Sequence, residues 1–310
     1  MTSEQPPSEV TRARTAREAA RLYDRGRPGY PQESSDWLVG GQARTVLELG
    51  AGTGQLTRHL VAAGHDVLAT DAEPAMLEVL SERVPGVRTL VARAEEPCVP
   101  DRSVDVVVVA AAFHRFDPEE ALPTIARALR PGGHLALVWN ERDTRIPWVR
   151  RLGRLLDGPP EEREPLRDVL VRSPLFSFVE EKTFKAWQDV NAETVRHLVL
   201  SHSHVAGLPP EEQEDVVADV RDLYAEYGRG MDGMQLPHLV RCLRTQVVHQ
   251  PGLFGEGAEP TPEPPATGAA GEPDSGDDAG DDAEAARRAR SRERFLSDGT
   301  DTDMLLIDFR

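Results

Sequence analysis

Residues 46–55 read Val46-Leu47-Glu48-Leu49-Gly50-Ala51-Gly52-Thr53-Gly54-Gln55. A short apolar run feeds three glycines at alternate positions, and a helical pattern over Gln55–Ala63 follows. Glycine is needed where a backbone turns sharply, and where a ligand comes against main-chain atoms with no Cβ in the way. The stretch therefore predicts a buried strand, a ligand-binding loop and a helix, in that order.

Working outward, Arg44–Gly50, Asp66–Asp71, Val87–Ala92, Val104–Ala110 and His134–Asn140 are short, nearly continuous apolar runs. Such runs suit parallel strands covered on both faces. Helical patterns at Gln55–Ala63, Pro74–Arg83 and Pro118–Arg130 separate them. The third is punctuated: Asp117 can cap it, Pro118 fits its first turn, and Glu119 and Glu120 suit the positive end of its dipole. Pro131-Gly132-Gly133 should end it. Strands alternating with helices at this spacing predict right-handed crossovers and an open, doubly wound, mostly parallel α/β sheet.

Beyond Asn140 the pattern changes. Ile146–Leu156 reads as a helix, and Phe176–Val190 as a long strand or bent hairpin. Helices follow from Asn191 to about Ser201 and from Pro209 to about Tyr227, then a final strand at Leu236–Val248. In the second helix Val216, Val220, Leu223 and Tyr227 make one apolar stripe. This pair, about 191–230, reads either as a lid over the carboxyl edge of the sheet or as ordinary packing helices. The expected organisation is a helical segment at 1–22, a catalytic domain at 23–250 and an acidic tail at 251–310.

The chain has 310 residues, with 53 acidic against 36 basic and a net charge of −17. The tail 251–310 carries fifteen acidic and six basic residues and is rich in Pro and Gly, so it is expected to be disordered. The charge balance argues against nucleic acid and against an anionic membrane surface as partners. Val104–Phe113 is far short of the roughly 20 apolar residues that span a bilayer, and the start MTSEQPPSEV has no signal-peptide core. A cytoplasmic location is expected. Cys98 and Cys242 cannot make a disulfide framework. His202 and His204, two apart with no third ligand in range, are poor evidence for a metal.

The glycines are spaced G-x-G-x-G, not the G-x-G-x-x-G that seats a pyrophosphate on a helix N-terminus. Glu48 stands two residues before the first of them. A carboxylate there would repel a pyrophosphate and suit a ligand with positive charge, which favours S-adenosylmethionine over NAD. Asp71 ends the second strand, where an acidic side chain can accept the ribose hydroxyls of an adenosine, or alternatively cap the helix at Pro74. Met76 is placed to lie along an adenine or, equally, to fill the core.

Together LELGAGTGQLTRHL (47–60), ATDAEPAML (69–77), ARAEE (92–96) and HRFDPEEALPTIARALRPGGHLALVWN (114–140) resemble a class I S-adenosylmethionine-dependent methyltransferase. The likeness spans roughly 20–248. YDRGRPGYP (23–31) is similar to the lead-in of the small-molecule branch that includes trans-aconitate methyltransferase-like proteins. The resemblance implies a Rossmann-like sheet of seven strands with the last antiparallel. It further implies that Glu48, Gly50, Ala51, Gly52 and Gly54 cradle the methionine end, Asp71 the ribose, and Met76, Ala94 and Glu95 the adenine. Arg93 stands where such enzymes often carry Asp or Thr, and Arg115 where they often carry Trp.

Methyl transfer needs acceptor and methyl held close, aligned and dry, and needs a base only where the acceptor must lose a proton. His114, delivered by the fourth strand, is the candidate catalytic base; its alternative role is to shape the pocket floor. Arg115 would pair with an acidic acceptor or point to solvent, while Tyr23, Arg27, Tyr30 and Trp139 would close the acceptor site. The Asn/Asp-Pro-Pro-Tyr/Phe run of base-amino methyltransferases is absent after strand four. The expected activity is methylation of a small-molecule carboxylate or hydroxyl. The alternatives are an NAD-dependent oxidoreductase or a silent cofactor-binding protein.

Overall fold

A computed structural model describes residues 9–158, 164–227 and 233–248; the acidic tail expected at 251–310 lies outside the described residues. The strands are Thr45–Leu49 (β1), Asp66–Asp71 (β2), Arg88–Val91 (β3), Val104–Ala110 (β4), Leu129–Arg142 (β5), Glu180–Val190 (β6) and Met234–Gln246 (β7). The helices are Glu9–Gly26 (α1), Gln32–Val39 (α2), Thr57–Ala62 (α3), Pro74–Arg83 (α4), Pro118–Ala128 (α5), Pro147–Leu156 (α6), Leu166–Arg172 (α7), Thr194–Leu200 (α8), Ser203–Ala206 (α9) and Pro210–Tyr227 (α10).

All seven strands form one sheet in the order β3-β2-β1-β4-β5-β7-β6. β1 pairs parallel with β2 and β4, and β5 parallel with β4, while β7 runs antiparallel to β5 and β6. This is the doubly wound, Rossmann-like sheet that the sequence pattern predicts. The apolar runs explain it: β1 and β4 sit at the centre with helices on both faces, so successive side chains enter separate cores. Leu47, Leu49, Val107 and Val109 pack with α5, and Val46, Val106 and Val108 pack with α2, α3 and α4. A third core is built from α6, α8 and α10 around Leu152, Leu198, Val220 and Leu223.

Several boundaries differ from the sequence expectation. α1 runs continuously through Tyr23 to Gly26, so the break expected between 22 and 23 falls inside a helix. α5 stops at Ala128 rather than Arg130, because Leu129 already pairs with Val104 and the Pro-Gly-Gly turn is absorbed as an irregularity within β5. Phe176–Val190 is not a hairpin. Only Glu180–Val190 is strand, with Phe176 making a lone bridge to Val247. In α10 Val217 joins Val220 and Leu223 as the fully buried residues, Val216 packs half-buried on the same core, and Tyr227 is exposed and stacks on Trp148.

Candidate active site

β1 and β4 are neighbours whose chains leave in opposite directions across the sheet, and the crevice beyond their carboxyl ends is where open α/β sheets bind ligands. The loop after β1 is pinned there by main-chain bonds: Ala51 N–H donates to Thr70 O at 2.8 Å. Gly52 N–H donates to Oδ2 of Asp71 at 2.8 Å, and Glu73 N–H to its Oδ1 at 2.9 Å. Across the crevice, Ala111 follows β4 with φ of 52°, a left-handed conformation that a non-glycine residue adopts at a cost of about 1 kcal/mol or more. Its N–H is fixed to Val138 O at 2.7 Å.

Two cavities meet at this crevice. The first is lined by Asp71, Met76, Ala94 and Glu95 together with Arg93, Arg115 and Phe116. The second is lined by Arg27, Tyr30, Ala51, Thr53, Asn140, Arg142, Gln188, His202 and His238. Tyr23, Gly50, Gly52, Ala110 and Ala111 border both, so the two form one cleft folded over the glycine loop. Gly52 has φ of 56°, and a Cβ built on it meets no protein atom within 4 Å. A side chain there would occupy ligand space rather than protein. Gly50 and Gly54 serve packing, since a Cβ would come within 2.5 Å of Ala112 and 2.9 Å of Leu80 respectively.

The lead-in segment 23–31 forms the roof of the second cavity and is stitched to four separate elements. Gln55 donates to Asp24 O at 2.9 Å, Asn140 to Gly29 O at 3.3 Å and Gln188 to Gly26 O at 2.9 Å. Arg27 itself donates from Nη2 to Ser201 O, beyond α8, at 2.9 Å. Leu198 and His202 bring the α8–α9 region onto the same cavity. Tyr30 is buried, and burial raises its pKa, so it stays a phenol.

Several expected contacts are corrected. Glu48 lines neither cavity: it is fully buried beneath the loop, facing α3, where Thr57 donates to its Oε2 at 2.7 Å and its Oε1 has no partner. Burial pushes its pKa up to about 8, with Asp71 adding to the rise and the Thr57 bond opposing it. Near neutral pH it is an acid rather than a carboxylate, and it cannot select ligand charge by direct contact. Trp139 also leaves the site. Strand alternation turns it to the opposite face, packed on the α5-side core with Nε1 donating to Glu141 at 2.8 Å, and Asn140 takes the cavity wall. Gly54 does not border either cavity. His114 and Arg115 are exposed in the 3₁₀ turn Phe113–Arg115; His114 lines the open mouth of the cleft and not the two cavities.

His238, Gln188 and Arg142 were not singled out from sequence. Their signal is strand period: Leu236, Val240 and Cys242 are buried at alternate positions of β7, which puts His238 in a buried file. Arg142 is ion-paired with Asp157 and places Nη1 2.8 Å from Nε2 of His202. A guanidinium can only donate, so His202 Nε2 accepts and its proton sits on Nδ1, which bonds Leu198 O at 2.8 Å. Burial, then Arg27 and Arg142, push this ring down to about 3, so it is neutral.

Comparison with known proteins agrees with this fold. The family described as "Methyltransferase domain" matches residues 47–137. An uncharacterised methyltransferase of Mycobacterium tuberculosis is 41% identical over 232 residues, covering 74% of this chain and 94% of that one. An uncharacterised methyltransferase of Schizosaccharomyces pombe is 34% identical over 225 residues, covering 69% and 88%. A solved structure described as a type II methyltransferase from Anaeromyxobacter dehalogenans shares the fold with a TM-score of 0.53 at 23% identity, covering 71% of this chain and 97% of that one. The chain belongs to the class I S-adenosylmethionine-dependent methyltransferases. It is a methyltransferase, and the oxidoreductase alternative falls away. Among the described residues no helix is long and apolar enough to cross a membrane.

Proposed function

We propose that this chain transfers a methyl group from S-adenosylmethionine to a carboxylate or hydroxyl of a small-molecule acceptor. The observation that carries the reading is the single cleft with two chambers sharing the glycine loop; we assign the chamber beside Asp71 to the donor and the other to the acceptor. Bound donor would supply an activated methyl group, the C–S electron pair staying on sulfur to leave the neutral thioether S-adenosylhomocysteine.

The chain's own residues fit that donor. Asp71 uses one lone pair of each oxygen on main-chain N–H groups and keeps another for ribose hydroxyls. Met76, Ala94 and Phe116 offer apolar surface in the same chamber for an adenine. Tyr23, Gly50, Gly52 and Ala111 stand at the junction, where the reacting groups have to meet. Tyr23, Arg27 and Tyr30 close the acceptor chamber from above, excluding water from a displacement that needs a dry, aligned encounter.

Calorimetry with S-adenosylhomocysteine tests the donor half, and labelled donor incubated with a metabolite extract tests the transfer. Binding with labelled product supports the reading. Absence of binding would end it, and binding without labelled product would leave a silent cofactor-binding protein.

A further inference from the structure

The acceptor chamber has walls of one charge sign. Arg27 and Arg142 line it and no aspartate or glutamate does, in a chain with 53 acidic residues against 36 basic. Arg142 is neutralised by Asp157. Arg27 has only neutral partners among the described residues: Ser201 O, and the Tyr23 ring, whose centroid lies 5.1 Å from the guanidinium carbon. Its Nε is buried with no partner. Burial lowers its pKa, yet an arginine in a protein keeps its charge. A desolvated cation without a counter-ion is an unmet demand for an anion.

A second unmet demand lies in the same chamber. Nε2 of His238 is 3.2 Å from Oε1 of Gln188, and the Gln188 amide nitrogen donates to Gly26 O. That bond fixes Oε1 as the acceptor toward the histidine, so Nε2 carries the ring proton and Nδ1 is a bare lone pair. Nδ1 is buried and has no partner. Burial, then Arg142 and Arg27, push this ring down to about 4, so it stays neutral. An acceptor atom in this state calls for an O–H or N–H.

We infer that the methyl acceptor is a small organic acid that also carries an O–H or N–H group, its acid oxygens paired with Arg27 and its O–H or N–H donating to Nδ1 of His238. The inference rests on the methyl-transfer reading above and names its substrate class. A carboxylate beside Arg27 has two possible sources, the acceptor and the amino-acid end of the donor, and the test separates them.

S-adenosylhomocysteine is titrated into the wild-type protein, Arg27→Met and His238→Leu, each checked for an unchanged melting profile. Affinity within threefold in both variants is expected; a loss of tenfold or more in Arg27→Met would assign the carboxylate to the donor and overturn the acceptor pairing. A metabolite extract is then divided on an anion-exchange resin, and each fraction is incubated with labelled S-adenosylmethionine. Label is expected from the retained fraction only, reduced at least about tenfold in both variants, as for loss of a charge-assisted or buried hydrogen bond. His238→Asn, which keeps an acceptor oxygen near the Nδ1 position, should recover most of it, and Arg27→Lys should retain more than Arg27→Met. If Arg27→Met or His238→Leu fails to fold, these two variants decide: wild-type labelling of neutral compounds would still overturn the inference. Label appearing from the unretained fraction, or undiminished in His238→Leu, overturns the substrate class while leaving methyl transfer standing. No label from any fraction would overturn methyl transfer itself, and this inference with it.

Discussion

The main-chain N–H of Gly52 donates to Oδ2 of Asp71 at 2.8 Å, tying the glycine loop to the end of the neighbouring strand. Asp71 is thereby both the loop's anchor and an acceptor with a lone pair to spare on each oxygen. Hydrogen bonds to a charged group contribute about 1.5–3 kcal/mol each, so Asp71→Ala should weaken S-adenosylhomocysteine binding by roughly 10–100-fold. Asp71→Asn, which keeps one acceptor oxygen, should fall between. Isothermal calorimetry on the three proteins checks this; an Ala variant that binds like wild type would remove Asp71 from the donor chamber.

Gly52→Val separates loop conformation from loop occupancy. A side chain at φ of 56° costs roughly 1–2 kcal/mol in backbone strain, visible as a lower urea midpoint. No atom beyond its chain neighbours stands within 4 Å of that Cβ, so backbone strain should make up most of the stability loss. Donor binding should fall much further than stability does, because the new methyls stand where both cavities meet. Equal losses would mean that Gly52 acts through the fold alone.

The sheet was legible because its physics is local. Nearly unbroken apolar runs such as Val104–Ala110 need cover on both faces, and only helices between parallel strands provide it. The first chamber was legible for a similar reason: Gly52, Asp71 and Met76, which line it, lie on the consecutive β1–α3–β2–α4 stretch. The second chamber was legible only at Tyr23, Arg27 and Tyr30, which share one short motif; Arg142, Gln188, His202 and His238 come from four separate stretches that only tertiary packing brings together. Glu48 was misread because charge at a sequence position does not say on which side of a loop the side chain lies. Trp139 falls outside the site because strand period turns it and Asn140 opposite ways.

Asp117 offers a test of a purely structural role. Its Oδ1 accepts from the Glu119 N–H at 2.9 Å and caps α5. Asp117→Ala should cost about 1 kcal/mol, within a range of roughly 0.5–2, in urea denaturation. S-adenosylhomocysteine affinity should stay unchanged, because Asp117 lines neither cavity.

His114 can be tested as a base directly. A side chain performing general base catalysis contributes about 10²–10⁴-fold. The ring stands exposed at the mouth, outside both chambers, so His114→Ala is expected to lower the labelling rate by less than about tenfold. A loss of a hundredfold or more, with donor affinity intact, would place the base at the mouth and the reacting acceptor across it.

Glu48 predicts a pH dependence of stability with a definite sign. Its pKa is near 4.5 in an unfolded chain and about 8 in the folded protein. Below about pH 4.5 both states hold the proton and burial carries no ionisation penalty. Between about 4.5 and 8 the unfolded chain ionises while the native side chain does not, so stability falls as pH rises, by at most about 1.4 kcal/mol per pH unit. Glu48→Gln keeps the oxygen that accepts from Thr57 and cannot ionise. The difference in unfolding free energy between the variant and wild type should therefore grow from pH 5 to pH 8, with all other titrating groups cancelling. Urea denaturation of both proteins at four pH values measures it. A difference that stays flat would mean that Glu48 is ionised in the folded state, and the carboxylate beneath the glycine loop would again be available to attract a cationic ligand through the loop.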